Sequence, residues 1–488
     1  MKKYKLEITV FLSGALTMVL ELIASRILSP YVGSSNLIWT SIIGIMLTSM
    51  SIGYWLGGKV ADKNKENDIN ILSNYLSIAA IATSLIPILE VVFVNTLAKY
   101  LEQLIIVAIL SATIVFGIPS FLLAAVSPIA VKLKNSNIDN VGATSGKISS
   151  LSTIGSIFGT FFAGFILIPN LGVRNIVLGC SILLWILSIM LLKNKTKKYY
   201  ILMLVELIVI IALNFLGGYI FKINNPDIIK DVDSEYSRIW VTEVATEQNK
   251  YKTLQVDTGL ESYINQETGE MGAEYLKYYD LFDYYNKNAN DILMIGAAAY
   301  TYPMHFLEKY ENKKIDVVEI DSKMTEISEQ EFGLDTTNPN LKIYTTDGRS
   351  FLNYNDKKYD AILIDAFKGI NAPFELTTYE AMKKAYENLN ENGIVFTNII
   401  SSLEGEETDF IKYEYSTYKA VFDSVKIFKV RPETNNQEKQ NLLLVGFKGE
   451  NSINEEKTEE YEELLENEIK NFESDKEVIT DDYAPIGD

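Results

Sequence analysis

Cysteine and histidine are almost absent from this 488-residue chain, which has one of each, Cys180 and His305. A single cysteine excludes a disulfide framework and any cysteine-based metal cluster. A single histidine leaves no His-rich metal site and no Ser-His-Asp triad to build, so no metal centre is expected. Basic charge is also scarce overall, with 44 Lys+Arg against 63 Asp+Glu and a formal net charge of −19. It is unevenly spread. Residues 1–222 hold 17 of the basic and 9 of the acidic side chains, a net of +8, which leaves 27 and 54 for residues 223–488, a net of −27. The acidic part argues against a nucleic-acid binder, which needs basic phosphate contacts. The contrast between the parts excludes a single soluble domain.

Long apolar runs fill the first part. A hydrocarbon layer about 30 Å thick needs roughly 20 apolar residues of helix, and runs of that order occur at 8–28, 38–58, 71–94, 103–131, 148–168, 174–192 and 199–221. The fourth is read as one tilted or kinked span despite Pro119, since proline is tolerated in membrane helices. Lysines cluster before the first run, after the second, between the fourth and fifth, and between the sixth and seventh (the KNKTKK segment). The positive-inside rule then predicts seven spans, a cytoplasmic N-terminus and an extracytoplasmic C-terminal part in a cell-membrane protein. The first run carries Glu21 and Arg26, lacks a small-residue cleavage site and is followed by six more, so it is read as a span and not a signal peptide. Ionisable groups within spans are costly and default to functional hypotheses. Glu21 and Arg26, five apart, are therefore candidates for a membrane site, with a snorkelling structural pair as the alternative. Glu90 and Glu206 are assigned to structure, and Gly53, Gly57 and Gly58 to close helix packing.

The second part changes period. Strand-like runs at 291–296, 315–320, 341–345, 359–365, 393–400, 424–430 and 441–447 alternate with helical segments, the pattern of a doubly wound, mainly parallel sheet. Short alternating runs over 236–265 read as a small β lobe ahead of it. The expected organisation is a helical transmembrane domain (1–222), a small β-rich lobe (223–290) and a Rossmann-like nucleoside-binding domain (291–488). Ligands in such sheets bind at the carboxyl ends of strands, and three acids fall there. Glu319 closes the second strand about 23 residues after the first turn, where a ribose-binding acid belongs. Asp347 precedes Gly348 after the third strand, and Asp365 closes the fourth. The first turn reads GAAAYTYP, so Gly296 and three alanines permit close backbone approach without forming a pyrophosphate cradle. Helix capping is the alternative for each strand-end Asp.

The segments MIGAAAYTYP, VVEID, TTDGRSFL, YDAILIDAF, PFELTTYEAM and GIVFTNI resemble the polyamine aminopropyltransferase (spermidine synthase) family. Together with ELIASRILSPYVGSSNLIWTSIIG, GYWLGGKVAD and TDDYAP, they resemble its membrane-fused branch. The resemblance implies a transferase that binds decarboxylated S-adenosylmethionine, or a related adenosyl sulfonium, as co-substrate, with no tightly bound cofactor. Glu319 would hold the ribose, Asp347 and Gly348 would lie against the adenine, and Asp365 would serve the reacting amine, with Tyr236 as its hydrogen-bond partner. Glu274 and Tyr278-Tyr279-Asp280 fall where the family has an acid followed by Tyr-His-Glu. A homodimer is also implied.

The departures matter. Ala299-Tyr300 stand where the family's first turn supplies an acid for the donor's amine, and Lys368 replaces the second diamine-binding acid of Asp-Ser-x-Asp. Glu274, Tyr279, Tyr300 and Lys368 are the candidate substrate contacts. A diamine is a dication and needs carboxylates at both ends. Three readings therefore stand: an aminopropyl transfer to an amine that releases methylthioadenosine; a lyase, cyclising enzyme or other alkyl transferase acting on S-adenosylmethionine; and a non-catalytic polyamine or nucleoside transporter or sensor.

Overall fold

The computed structural model describes residues 4–63, 68–101, 103–134, 141–193, 196–246, 249–367, 373–405, 408–449 and 458–483. The chain forms two compact units, Met1–Trp240 with Val256–Thr258, and Val241–Gln255 with Gly259–Asp488.

Among the described residues, the first unit contains seven helices long and apolar enough to cross a membrane: α1 (Lys5–Val32), α2 (Asn36–Lys63), α3 (Asn70–Tyr100), α4 (Leu104–Lys134), α5 (Val141–Asn170), α6 (Val173–Leu191) and α7 (Lys197–Asn224). Each covers an apolar run expected from the sequence. The fourth run is one helix with Pro119 and Pro128 inside it. α3 is re-formed at Pro87 and carries a π-turn over Glu90–Val94. Proline removes a backbone donor, and a π-turn absorbs the resulting misfit.

Small residues set the closest helix approaches. A Cβ on Gly155 or Gly159 of α5 would lie 2.0 Å from the Phe11 carbonyl oxygen or 2.2 Å from that of Ala15, both on α1. A Cβ on Gly53 or Gly57 of α2 would lie 2.3 Å from the Phe121 carbonyl oxygen or 2.8 Å from the Ala125 Cα of α4, whereas one on Gly58 would meet open space. The packing role expected for that glycine trio thus holds for two of the three. Across α3 and α6, Ser73 and Ser188 exchange hydroxyl-to-carbonyl hydrogen bonds of 2.8 and 2.9 Å. Glu206 accepts a hydrogen bond from Ser77.

The first unit runs past residue 222, where its boundary was expected. Strand β1 (Ile228–Asp233) and the start of β2 (Arg238–Ala245) belong with the helices. The reason is ionic: buried Arg238 donates to Glu90 of α3 at 2.8 Å, and Asp233 accepts the Val173 N–H of α6 at 2.8 Å. With β3 (Lys250–Val256) and β4 (Gly259–Asn265), these strands make a four-stranded sheet in sequential order, the small β lobe read from the sequence.

The second unit is built on β5 (Asp291–Ile295), β6 (Lys314–Glu319), β7 (Leu341–Thr345), β8 (Tyr359–Ile364), β9 (Leu389–Ser401), β10 (Ser424–Lys429) and β11 (Gln440–Phe447). The order is β10-β11-β9-β8-β5-β6-β7. Strands β5 to β9 are parallel, and β11 runs antiparallel to β9 and β10, so the sheet is mixed at one edge. Strand order reverses between β5 and β8, and right-handed crossovers then place helices on both faces. Alternation along the strands splits the core. Leu293, Ile295, Ile362, Ile364 and Val395 face one apolar cluster with Phe351, Met382 and Tyr418, while Phe396 on the opposite face meets Tyr279.

A valine at Gly155 would force backbones apart at the α1–α5 contact. Gly155→Val should cost about 2 kcal/mol or more, read as a lower Tm in detergent. Gly58→Ala should leave the Tm unchanged, and an unchanged Tm in both would show that the α1–α5 approach is not limiting.

Candidate active site

The reversal of strand order brings the ends of β5 and β8 together. Gly296, just after β5, has a φ of +84°, and a Cβ there would lie 2.3 Å from the Asp365 carbonyl oxygen. Glycine is required on both counts. The turn continues through Ala298 (φ 46°) and Tyr300 (φ 57°), two non-glycine residues in the left-handed region. Such strain persists where the surroundings impose it and concentrates at ligand-binding turns.

Asp365 follows β8 and anchors its backbone by donating its N–H to the Ile295 carbonyl at 2.8 Å. Its carboxylate accepts from the Tyr275 hydroxyl (3.0 Å, Oδ2) and the Asn398 amide (3.1 Å, Oδ1). Asn398 is itself held by Asn441, which donates to its Oδ1 at 2.9 Å. The fully buried Tyr279 hydroxyl also lies close enough to favour the Asp365 charge, but makes no hydrogen bond of normal geometry. Burial outweighs these donors and pushes the Asp365 carboxyl up to about 6. All three donors are neutral groups, so no opposite charge pulls the value back.

Glu319 ends β6, on the other side of β5 from Asp365. Its two oxygens accept main-chain N–H groups from Ala297 (3.1 Å) and Asp321 (3.0 Å), which fixes the carboxylate beside the first turn. Burial raises its pKa, and these N–H groups oppose the rise. Asp347 caps the helix Gly348–Tyr354 by accepting the Ser350 N–H at 2.7 Å. Gly348 is buried, and a Cβ there would lie 2.5 Å from the Ile295 side chain. These strand-end groups are collected along one edge of the sheet.

The other candidates are placed differently. Tyr279 lies in the helical turn Glu274–Asp280, packed edge-on against Tyr275 and Tyr302. Glu274 is half-exposed and accepts from Arg431 Nε at 2.8 Å. Tyr300 is buried, and its hydroxyl pairs with Thr325 at 2.8 Å. Tyr236 belongs to the first unit, on an exposed turn with its N–H on Ser234. The hydroxyl on Asp365, expected from Tyr236, is supplied by Tyr275. Lys368 lies outside the described residues. In the first unit, Glu21 sits half-buried on α1, and Arg26 donates to the Glu235 carbonyl. Among the described residues no group of three or more His, Cys, Asp or Glu is arranged to hold a metal.

Two partners of Asp365 escaped the sequence reading. Asn398 is a polar residue inside a buried strand, and the parallel register pairing Ile364 with Thr397 places it beside Asp365. Tyr275 stands four residues before Tyr279 in a turn whose helical form the sequence left undetermined.

A doubly wound domain with acids at three parallel strand ends and a strained glycine turn at the switch in strand order belongs to the α/β class whose ligands bind at the carboxyl ends of the strands. Comparison with known proteins narrows this. The spermine/spermidine synthase domain family matches residues 281–436. A polyamine aminopropyltransferase of Vibrio vulnificus is 30% identical over 156 residues, 31% of this chain and 50% of that protein. Polyamine aminopropyltransferase 2 of Aquifex aeolicus is 21% identical over 415 residues, 80% of this chain and 78% of that protein. A probable spermidine synthase of Corynebacterium glutamicum aligns in structure with a TM-score of 0.42 and 20% identity, over 49% of this chain and 86% of that one. The chain spans about half the length of the Vibrio relative, and 26% of a probable polyamine aminopropyl transferase of Bifidobacterium longum. Residues 281–436 thus match the spermine/spermidine synthase domain family, and among the described residues the chain carries in addition seven long apolar helices.

Removing the Asp365 charge while keeping its shape isolates its role. Asp365→Asn should lower kcat by about 10²–10⁴-fold, the usual worth of a positioned base, with nucleoside affinity largely retained. Full activity would remove Asp365 from the chemistry. Acting as a base, the same carboxylate would set the acid limb of the pH profile, since it is protonated below about 6. Activity should therefore rise with pH through a midpoint near 6 and lose that limb in the Asn variant. Glu319→Gln should weaken nucleoside binding by about 1.5–3 kcal/mol, the worth of a hydrogen bond to a charged group. Unchanged binding in a calorimetric titration would leave Glu319 only the task of holding the turn.

Proposed function

We propose that the protein is a membrane-bound transferase that moves an alkyl group, aminopropyl by family, from an S-adenosyl sulfonium to an amine. The observation that carries this reading is Asp365: a buried carboxylate with only neutral donors, at the strand end beside a strained glycine turn. The donor's sulfonium is already a good leaving group, so the protein must position the nucleophile and take its proton. The amine nitrogen forms a bond to the carbon on sulfur, and the carbon–sulfur pair stays on sulfur. The sulfonium becomes the neutral thioether of methylthioadenosine, and the amine's proton passes to Asp365 and then to water. An alkylammonium with a pKa near 10 gives its proton more readily to a carboxylate at about 6. That lowers the uphill cost by about 3 kcal/mol relative to an ordinary aspartate. Glu319 would accept hydrogen bonds from the ribose hydroxyls, Asp347 and Gly348 would line the adenine, and Tyr275 would orient Asp365.

The seven helices would anchor the domain in a bilayer, with the lysine clusters on the cytoplasmic side and the C-terminal domain outside. The family resemblance suggests a homodimer. Two observations favour a second reading, in which intact S-adenosylmethionine is the substrate of a lyase or a different alkyl transferase. Glu274 is neutralised by Arg431, and the first turn offers Ala299-Tyr300 in place of an acid. Both changes reduce the negative charge available to a diamine.

Purified full-length protein should be incubated with decarboxylated or intact S-adenosylmethionine, with and without putrescine, and the products resolved by mass spectrometry. The expected outcome is amine-dependent methylthioadenosine together with an aminopropylated amine. Methylthioadenosine from the intact donor without amine would establish the second reading. Nucleoside binding without turnover would exclude both in favour of transport or sensing.

A further inference from the structure

Within the first unit, the ends of α1, α3 and α6 enclose, with β1 and β2, a cavity of about 250 Å³. Its charged lining falls into two classes. Arg238, fully buried, is saturated: it grips Asp231 with two parallel bonds of 2.8 and 2.9 Å and donates to Glu90 at 2.8 Å. Asp231 also accepts the Trp240 N–H at 2.9 Å, and Tyr31 donates to Glu90 at 3.4 Å. This group is a structural ion cluster, complete as it stands.

Arg174 and Asp233 are not complete. Arg174 stacks over Phe221 at 4.0 Å, which fixes the plane of its guanidinium. Its Nε and Nη2 are buried and make no hydrogen bond, and the nearest carboxylate, Asp231, is 3.6 Å from Nη2. Asp233 spends Oδ2 on capping α6 through the Val173 N–H, while its Oδ1 is buried and unbonded. Buried polar atoms are almost always satisfied, and those that are not call for a ligand or water. The space is several times the share of one water, about 30 Å³.

We propose that this cavity is a binding site for a small zwitterion, with a primary ammonium on Asp233 and an oxyanion on Arg174. The charge pattern selects this class. A lone anion would face Glu90, Asp231 and Asp233, and a polycation would face two guanidiniums. A molecule carrying both signs meets an open partner for each. Free amino acids and ethanolamine phosphates share this chemistry, the latter also as the headgroup of a bilayer lipid. The site is independent of Asp365 and of the reaction assigned to it.

The test uses full-length protein in two arms. In detergent, glycine and glycerophosphoethanolamine are titrated by calorimetry. In nanodiscs, native mass spectrometry compares retained phosphatidylethanolamine with phosphatidylcholine, whose quaternary ammonium cannot donate to Asp233. Saturable binding in either arm is expected, at least tenfold weaker in Arg174→Gln and in Asp233→Asn. The asparagine keeps an oxygen for the Val173 cap, and Arg174→Lys, which retains the charge, should bind between the two. Binding in the first arm identifies a free zwitterion, and enrichment in the second alone identifies the lipid headgroup. Both support the site. No binding in either arm, equal binding in folded variants, or tighter binding of spermidine than of any zwitterion would overturn it.

Discussion

The second unit turns on the desolvation of one carboxylate. Asp365 can sit buried at the end of β8 only because Tyr275 and Asn398 reach it with neutral donors, and each donor fixes another part of the fold. Tyr275 ties down the helical turn before β5, and Asn398 holds β9 in register while Asn441 holds Asn398 from β11. The glycine turn must pass within van der Waals reach of the same residue's backbone, which is why position 296 tolerates no side chain. Moving any one of these shifts the charge and therefore the pKa that the chemistry needs.

The architecture of both units was legible in the sequence because hydrophobic period is a strong signal. The seven apolar runs and seven strand runs of the sheet all stand within a few residues of their expected limits. The antiparallel direction of β11 was not legible, since a buried strand reads the same either way. The boundary at Trp240 was missed for a different reason. Arg238 reads as an exposed residue of a half-polar strand, and only the fold shows it buried against Glu90, some 148 positions earlier. The acids of the site were legible as strand-end residues, and Glu319 and Asp365 do flank β5. Their partners were not, because Tyr275 and Asn398 gain meaning only from a turn's shape and a strand register.

In the helical region, different physics sets the packing. In the proposed bilayer setting, lipid tails would offer the helices no hydrophobic gain from association, so close backbone approach and hydrogen bonds would have to supply specificity. Gly155 and Gly159 on α5 and Gly53 and Gly57 on α2 provide the approach, and the reciprocal Ser73–Ser188 pair provides the bonds. Near one end of the helices, Arg238 and Glu90 neutralise each other. Removing either would leave a buried ion unpaired, a far larger penalty than the pair's net worth.

Three aspartates show how environment assigns roles to one side chain. Asp231 is driven up by burial but held below its ordinary value by the Arg238 guanidinium. Asp280, the most deeply buried of the three, is held low by His305 at 3.1 Å and Lys309 at 2.8 Å. Both are ionised structural anchors whose protons have already been displaced by a cation. Asp365 alone of the three has only neutral partners, so its proton affinity rises toward neutrality. A carboxylate paired with a cation gains little by taking a proton, because protonation breaks the pair. One stabilised by hydroxyl and amide donors can take a proton and release it at modest cost. The missing counter-ion at Asp365 is therefore the feature that separates it from its structural neighbours and suits it to the proposed role of base, and an ammonium substrate would supply that charge only while it is bound.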